Sequence, residues 1–165
     1  MNTVRCGECG AAMATRRENY RYTLSGLPGI VLRDVEVSRC PQCGNQEAEI
    51  PRIEALHETI ALALARKQTR LTPEEIRFLR THLDWSGVEL AAHMGAAPET
   101  VSRWENGANP MNSMAERLLR LLAVTAARQR DFSLEALTEI DEASPVRPIK
   151  LVLGFHKNAW RLEAA

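Results

Sequence analysis

The chain has 165 residues, and its 21 basic and 21 acidic side chains cancel to a formal net charge of zero. That balance gives no support for nucleic-acid binding through overall charge, and the longest purely apolar run of note, Ile60 to Ala65, is far too short to span a bilayer. Apolar residues make up 45% and aromatics 5%, which suits a Leu- and Ala-rich helical protein with one domain or two small ones. The N-terminus has no basic-then-apolar signal pattern, so a cytoplasmic location is expected, where disulfides are rare.

In chain order, the first motifs are Cys6-Gly7-Glu8-Cys9-Gly10 and Cys40-Pro41-Gln42-Cys43-Gly44. Each C-x-x-C lets two thiolates converge on one ion, and the glycine after the second cysteine permits the tight turn that aims backbone N–H groups at sulfur. Cys6, Cys9, Cys40 and Cys43 together supply the tetrahedral shell of one structural Zn2+ per chain. A shell closed by four sulfurs leaves no open position for catalysis. A thiol-disulfide oxidoreductase, the rival reading, expects a single C-x-x-C at the start of a helix in an α/β fold. Between the knuckles, Tyr20, Tyr22 and Leu24 alternate with polar neighbours, as do Val35 and Val37, with a turn at Ser25-Gly26-Leu27-Pro28-Gly29. Residues 1–50 therefore read as a small zinc-tethered β-module. Ile53, Leu56, Ile60 and Leu64 mark a helix from about Pro51 to Lys67, and Gln68-Thr69-Arg70 reads as a hinge, so residues 51–70 form a linker.

Residues 71–130 read as an all-helical unit. Thr72-Pro73-Glu74-Glu75 is a capping box with proline at N1, followed by Ile76, Leu79 and Leu83 on one face. Ser86-Gly87-Val88-Glu89 opens a second, short helix, and Gly95 marks a tight turn after it. Pro98 starts a third helix that Gly107 ends. This pattern is that of a helix-turn-helix, with Glu99, Thr100, Ser102 and Arg103 towards double-stranded DNA and Val101 towards the core. A long closing helix is expected over Ser113–Arg130 with Leu118, Leu119 and Leu122 facing inward. Residues 71–131 carry 7 basic and 8 acidic side chains, against 10 and 8 in residues 1–70. Binding thus calls for a homodimer on a palindromic operator rather than for a strong field.

In residues 131–165, Ser133–Leu137 reads as a short helix and Pro145-Val146-Arg147-Pro148 as an extended linker. Ile149–Leu153 and Ala159–Leu162 then read as a β-hairpin. A lone hairpin is marginal in water, so it should pack on this chain, on a dimer mate or on a partner. The four histidines lack ligand spacing and read as surface or packing residues. The fold class expected is α+β: zinc-bound β-module, connecting helix, all-α helix-turn-helix domain and C-terminal hairpin.

The run Thr100-Val101-Ser102-Arg103-Trp104-Glu105-Asn106-Gly107 resembles the Cro/repressor-like (XRE) family. The order of paired knuckles, connecting helix and XRE-type segment resembles, more narrowly, the MqsA/YgiT antitoxins. That resemblance implies a zinc module that binds and neutralises a small ribonuclease toxin, with Cys6, Cys9, Cys40 and Cys43 as the ligands. It also implies a helix-turn-helix that dimerises and represses its own operon, with Arg103 contacting DNA. Glu99 stands where the family reads a base with asparagine. A carboxylate cannot make the bidentate contact to adenine but can accept from a cytosine amino group, so the operator sequence does not carry over. The expectation is a non-enzymatic transcriptional repressor and antitoxin of a type II toxin–antitoxin pair, in which residues 1–70 hold the toxin through an edge strand, Tyr20–Leu24 or Leu32–Val37. The alternatives are the oxidoreductase above and a free-standing XRE regulator whose zinc module docks or senses.

Overall fold

The structure is a computed structural model that describes residues 4–164; Met1–Thr3 and Ala165, the ends of the first and last expected segments, lie outside the described residues. In chain order the elements are strands β1 (Ala14–Arg21), β2 (Ile30–Arg39) and β3 (Gln46–Glu49), then helices α1 (Ile53–Ala65), α2 (Pro73–His82), α3 (Gly87–Met94), α4 (Pro98–Glu105) and α5 (Ser113–Ala126). A short 3₁₀ turn (Leu134–Leu137) and strands β4 (Leu151–His156) and β5 (Ala159–Glu163) complete the chain. Helices and strands are thus mixed, as the α+β reading expects.

Strand β2 organises the sheet. Its Ile30, Leu32, Val35 and Val37 are buried on one face. Strand β1 pairs antiparallel along one edge, with Ala14 opposite Arg39 and Arg21 opposite Val31. The other edge is shared: β3 lies antiparallel to Glu36–Arg39, and β4 lies parallel to Ile30–Arg33. Strand β5 then closes antiparallel on β4. The expected hairpin therefore forms and packs on its own chain, inside the N-terminal sheet. This corrects the reading of Leu32–Val37 as an edge: that segment is the middle of the sheet. Strand β1 also lies earlier than expected. Its sequence ATRRENYR is mostly exposed, whereas Tyr22 is buried beyond the strand and Leu24 is exposed in the turn.

Both capping boxes are realised. In α2, Thr72 Oγ1 accepts from Glu75 N–H and Glu75 Oε2 accepts from Thr72 N–H at 2.8 Å. In α3, Ser86 and Glu89 do the same. Helix α5 starts at Ser113, capped by Asn112, and ends short of Arg130. Its inward face is not the leucine stripe expected. Leu119 is fully buried, but Leu118 is 37% exposed and Leu122 is only half-buried. The buried positions go to Ala115, Glu116, Leu119, Arg120 and Ala123, so two charges occupy sites that an apolar count assigns to leucines.

Those charges explain why Gln68-Thr69-Arg70 is not a free hinge. The Arg120 guanidinium donates to the carbonyls of Lys67 and Thr69, and to Glu116 Oε1 at 2.7 Å. Glu116 also accepts from Arg70 Nε at 2.5 Å and from Leu71 N–H at 3.0 Å. Lys67 Nζ donates to Glu75 Oε2 at 2.6 Å. Around this network a single apolar core runs from Leu32 and Leu153 of the sheet, through Leu56, Ile60 and Leu64 of α1, to Leu79, Val101 and Leu119. Among the described residues, Arg120 Nε is the one buried side-chain polar atom without a partner. Replacing Arg120 with alanine removes one of the two cations paired with Glu116 and leaves the buried carbonyls of Lys67 and Thr69 without their donor; it should lower stability by about 3–5 kcal/mol, read as a lower midpoint in denaturant unfolding.

A ring column joins the same parts. Tyr22 Oη and His57 Nε2 share a hydrogen bond of 2.7 Å, His57 meets Phe78 edge-on, and Phe78 stacks on His82. Burial holds both histidines below their ordinary value of 6.5, and His57 depresses His82 further. The folded state thus binds fewer protons here than the unfolded chain. Stability should be intact above about pH 6.5 and fall as the pH drops below it. Midpoints measured either side of that value check the sign, and a variant lacking both histidines should lose most of the slope.

Candidate functional site

The two knuckles repeat one turn. Cys6 N–H donates to Ala11 O and Gly10 N–H to Cys6 O; Cys40 N–H donates to Asn45 O and Gly44 N–H to Cys40 O. Gly10 and Gly44 sit at φ 72° and 75°, a left-handed conformation that excludes most side chains. The first knuckle leads into β1 and the second leaves the end of β2, so the sheet register brings them together.

The four Sγ atoms lie within 4.8 Å of one another. Cys6 and Cys43 are 3.5 Å apart, and Cys9 and Cys40 are 3.4 Å apart. A tetrahedral ion with metal–sulfur bonds of about 2.3 Å needs sulfur–sulfur edges of about 3.8 Å. The donor set therefore fits a single metal ion with only small shifts. None of the four is in a disulfide, and Cys6 and Cys40 are the buried members. Neither C-x-x-C opens a helix, the placement that a thioredoxin-like couple uses to activate its thiol.

Local donors split the four thiols into two kinds. The backbone N–H of Cys9, with those of Glu8 and the Asn45 amide, pulls the Cys6 thiol down to about 6 against the effect of burial. Cys40 is lowered likewise by the N–H groups of Cys43 and Gln42. The N–H of Asn45 works to lower Cys43, but the neighbouring thiols of Cys40, Cys6 and Cys9 outweigh it and push Cys43 up to about 12. Cys9 is raised too, against the N–H of Ala11, by Cys40 and by burial. Asn45, which also donates to Cys6 Sγ at 3.6 Å, was missed by sequence reasoning; its position just after the knuckle glycine is the only signal for it. At neutral pH Cys9 and Cys43 still hold protons that a bound metal must displace. Metal affinity should therefore rise with pH near neutrality. A competition titration at several pH values checks this, and a pH-independent affinity would contradict it.

The second candidate surface is α4. Glu99, Ser102 and Arg103 are exposed and Thr100 is half-buried, while Val101 and Trp104 are 1% and 5% exposed. The expected division into an outward polar row and an inward apolar pair is present. Gly95, at φ 60°, makes the turn between α3 and α4. The residues that fix α4 in place were not read from the sequence. Glu105 accepts from Arg80 Nε at 2.5 Å and from Arg80 Nη2 at 3.0 Å, and its carbonyl accepts from Arg77 Nη2 at 2.7 Å. This fork-to-carboxylate contact ties the end of α4 to α2. Its partners are 25 residues apart, and no local periodicity reveals such a pair. On α5, Met114 is 80% exposed beside Leu118, with Leu121 and Leu122 half-buried. These residues form an apolar stripe on the outside of the helices.

Among the described residues, no helix is long and apolar enough to cross a membrane. Searches of curated proteins and of solved structures found no match to the chain. The family model described as the antitoxin component of bacterial toxin-antitoxin system, MqsA, matches residues 1–127. That span holds both knuckles, strands β1–β3 and helices α1–α5, and it ends before the hairpin. A match over so much of the sequence shows the family, and the chain belongs to the MqsA family of antitoxins.

Proposed function

We propose that this antitoxin neutralises a small ribonuclease toxin through its cysteine-bearing sheet and represses its own operon, as a homodimer, through α3 and α4. The observation that carries the DNA reading is the form of α4. It offers Glu99, Ser102 and Arg103 to solvent on a helix anchored by Val101 and Trp104 and braced by the Arg80–Glu105 pair. Anchored in this way, α3, the Gly95 turn and α4 act as an XRE-type helix-turn-helix. Helix α4 enters the major groove, and Thr100, Ser102 and Arg103 meet base edges or phosphates. Glu99 selects against a nearby phosphate and suits a cytosine amino group.

The metal is Zn2+, bound by four thiolates as a structural ion. The protein acts by binding, with no catalytic step. Toxin capture falls to the metal module, where β1 is an edge strand with a charged, exposed sequence. An edge of this kind pairs with a partner strand through its backbone and selects it through side chains. The apolar stripe Met114–Leu118–Leu122 on α5 supports a second copy as its occupant, because a near-neutral reading domain needs two recognition helices to hold an operator. In the dimer these lie about 34 Å apart on a palindrome.

Arg103→Ala should cost roughly 1–3 kcal/mol of operator binding at fixed salt if Arg103 reads a base. Leu118→Glu should yield a folded monomer with little operator affinity. Fluorescence anisotropy on the operator and sedimentation of the free protein check the two. An unaffected Arg103 variant, or a Leu118 variant that stays dimeric, counts against the assignment. Co-expression of the full-length protein with the neighbouring toxin tests capture: Arg16→Glu, on the exposed face of β1, should lose growth rescue, while Arg103→Ala should keep it.

A further inference from the structure

Residues 128–164 lie beyond the family match, yet their backbone crosses from the helices to the sheet and is bonded at each stage. The carbonyl of Leu137 accepts from Arg117 Nε of α5 at 2.9 Å. Asp141 N–H donates to Gln68 O at 2.7 Å, at the junction between α1 and α2. The carbonyl of Arg147 accepts from Lys67 Nζ at 2.7 Å. Ile149 N–H donates to Glu75 Oε1 at 2.7 Å, and Leu151 N–H donates to Gly29 O at 2.9 Å. Strand β4 then pairs with β2, and Trp160 Nε1 of β5 donates to Pro51 O, just before α1, at 2.8 Å.

Two of these anchors stand out physically. Glu75 is fully buried. One of its oxygens closes the α2 capping box and takes Lys67, and the other takes the N–H of Ile149. The same carboxylate therefore starts α2 and holds the C-terminal segment. Gly29 is the seat on the sheet side. A Cβ there would lie 2.1 Å from Ile149 O and 3.2 Å from Lys150 Cα, both backbone atoms. Only glycine lets the segment pass so closely.

We infer that residues 137–164 are a strap that ties the first helix of the reading domain to the cysteine-bearing sheet, so that the two open as one cooperative unit. The competing account gives this coupling to α1 and the Arg120 network alone, with the C-terminal segment a passive cover. In the strap account the orientation of the sheet relative to α4 is fixed, which sets how a bound toxin stands against bound DNA. That consequence rests on the function proposed above, whereas the strap does not.

Amide hydrogen exchange on the full-length, metal-loaded protein, without toxin or DNA, separates the accounts. In the wild type, the amides of Asp141, Ile149 and Leu151 should open with the same free energy as those of Ile76 and Leu79 in α2. In Gly29→Ala, both sets should exchange faster together, by about tenfold or more. Strap amides exchanging far faster than α2 in the wild type would overturn the inference. So would a Gly29→Ala protein in which only the strap loosens. If that variant fails to fold, the wild-type comparison decides alone. Because neither toxin nor operator is present, failure here leaves the functional reading untouched, and loss of operator binding by Arg103→Ala does not bear on the strap.

Discussion

The contact on which the rest of the structure depends is the buried bridge between Glu116 and Arg120, with Arg70 and the junction carbonyls around it. Removing two charges from water costs several kcal/mol per ion, and that cost is offset by close pairing and by hydrogen bonds to the remaining positions. Here Glu116 takes Arg70, Leu71 N–H and Arg120, while Arg120 takes two backbone carbonyls as well. One position, Arg120 Nε, has no partner among the described residues. A shift of α5 along α1 by one turn parts Glu116 from Arg70 and Arg120 from the carbonyls of Lys67 and Thr69, whereas an apolar contact would merely slide. These contacts between elements set one relative placement of α1 and α5, and the C-terminal segment carries that placement on to the sheet.

Local signals in the sequence were legible because they are short-range chemistry. The capping boxes at Thr72 and Ser86, the glycines after each second cysteine, and Val101 against Ser102 and Arg103 all follow from spacing within a turn or two. What stayed hidden involves residues far apart. Strand β4 pairs with β2 from the opposite end of the chain, so neither strand's own alternation tells which is central. Arg80 and Glu105 meet through tertiary packing. Leu118 and Leu122 look inward on an apolar count, but α5 instead turns Glu116 and Arg120 to the core. Gln68-Thr69-Arg70 reads as solvated linker because its composition is polar. Its carbonyls are in fact taken up by a guanidinium and by the N–H of Asp141.

The same accounting bears on charge. Glu75, Glu105 and Glu116 are acidic residues of the helical segment 71–130 that lie in internal ion pairs. Their partners include Lys67 and Arg70, which sit outside that segment. An unfavourable charge count thus reflects structural pairing more than the field that α4 presents. The four thiols converge within 4.8 Å of one another where the ends of β1 and β2 meet. A single metal ion held there would tie the two knuckles together at the base of the sheet.

The central claim is that the cysteine-bearing sheet and the helices form one rigid body rather than two beads on a hinge. The most direct measurement is backbone 15N relaxation on the full-length, metal-loaded protein, comparing amides of β2 and β4 with those of α2 and α4. One diffusion tensor fitting both sets is the predicted result. A distinctly shorter correlation time for either set, with enhanced motion at Gln68–Arg70, would contradict it.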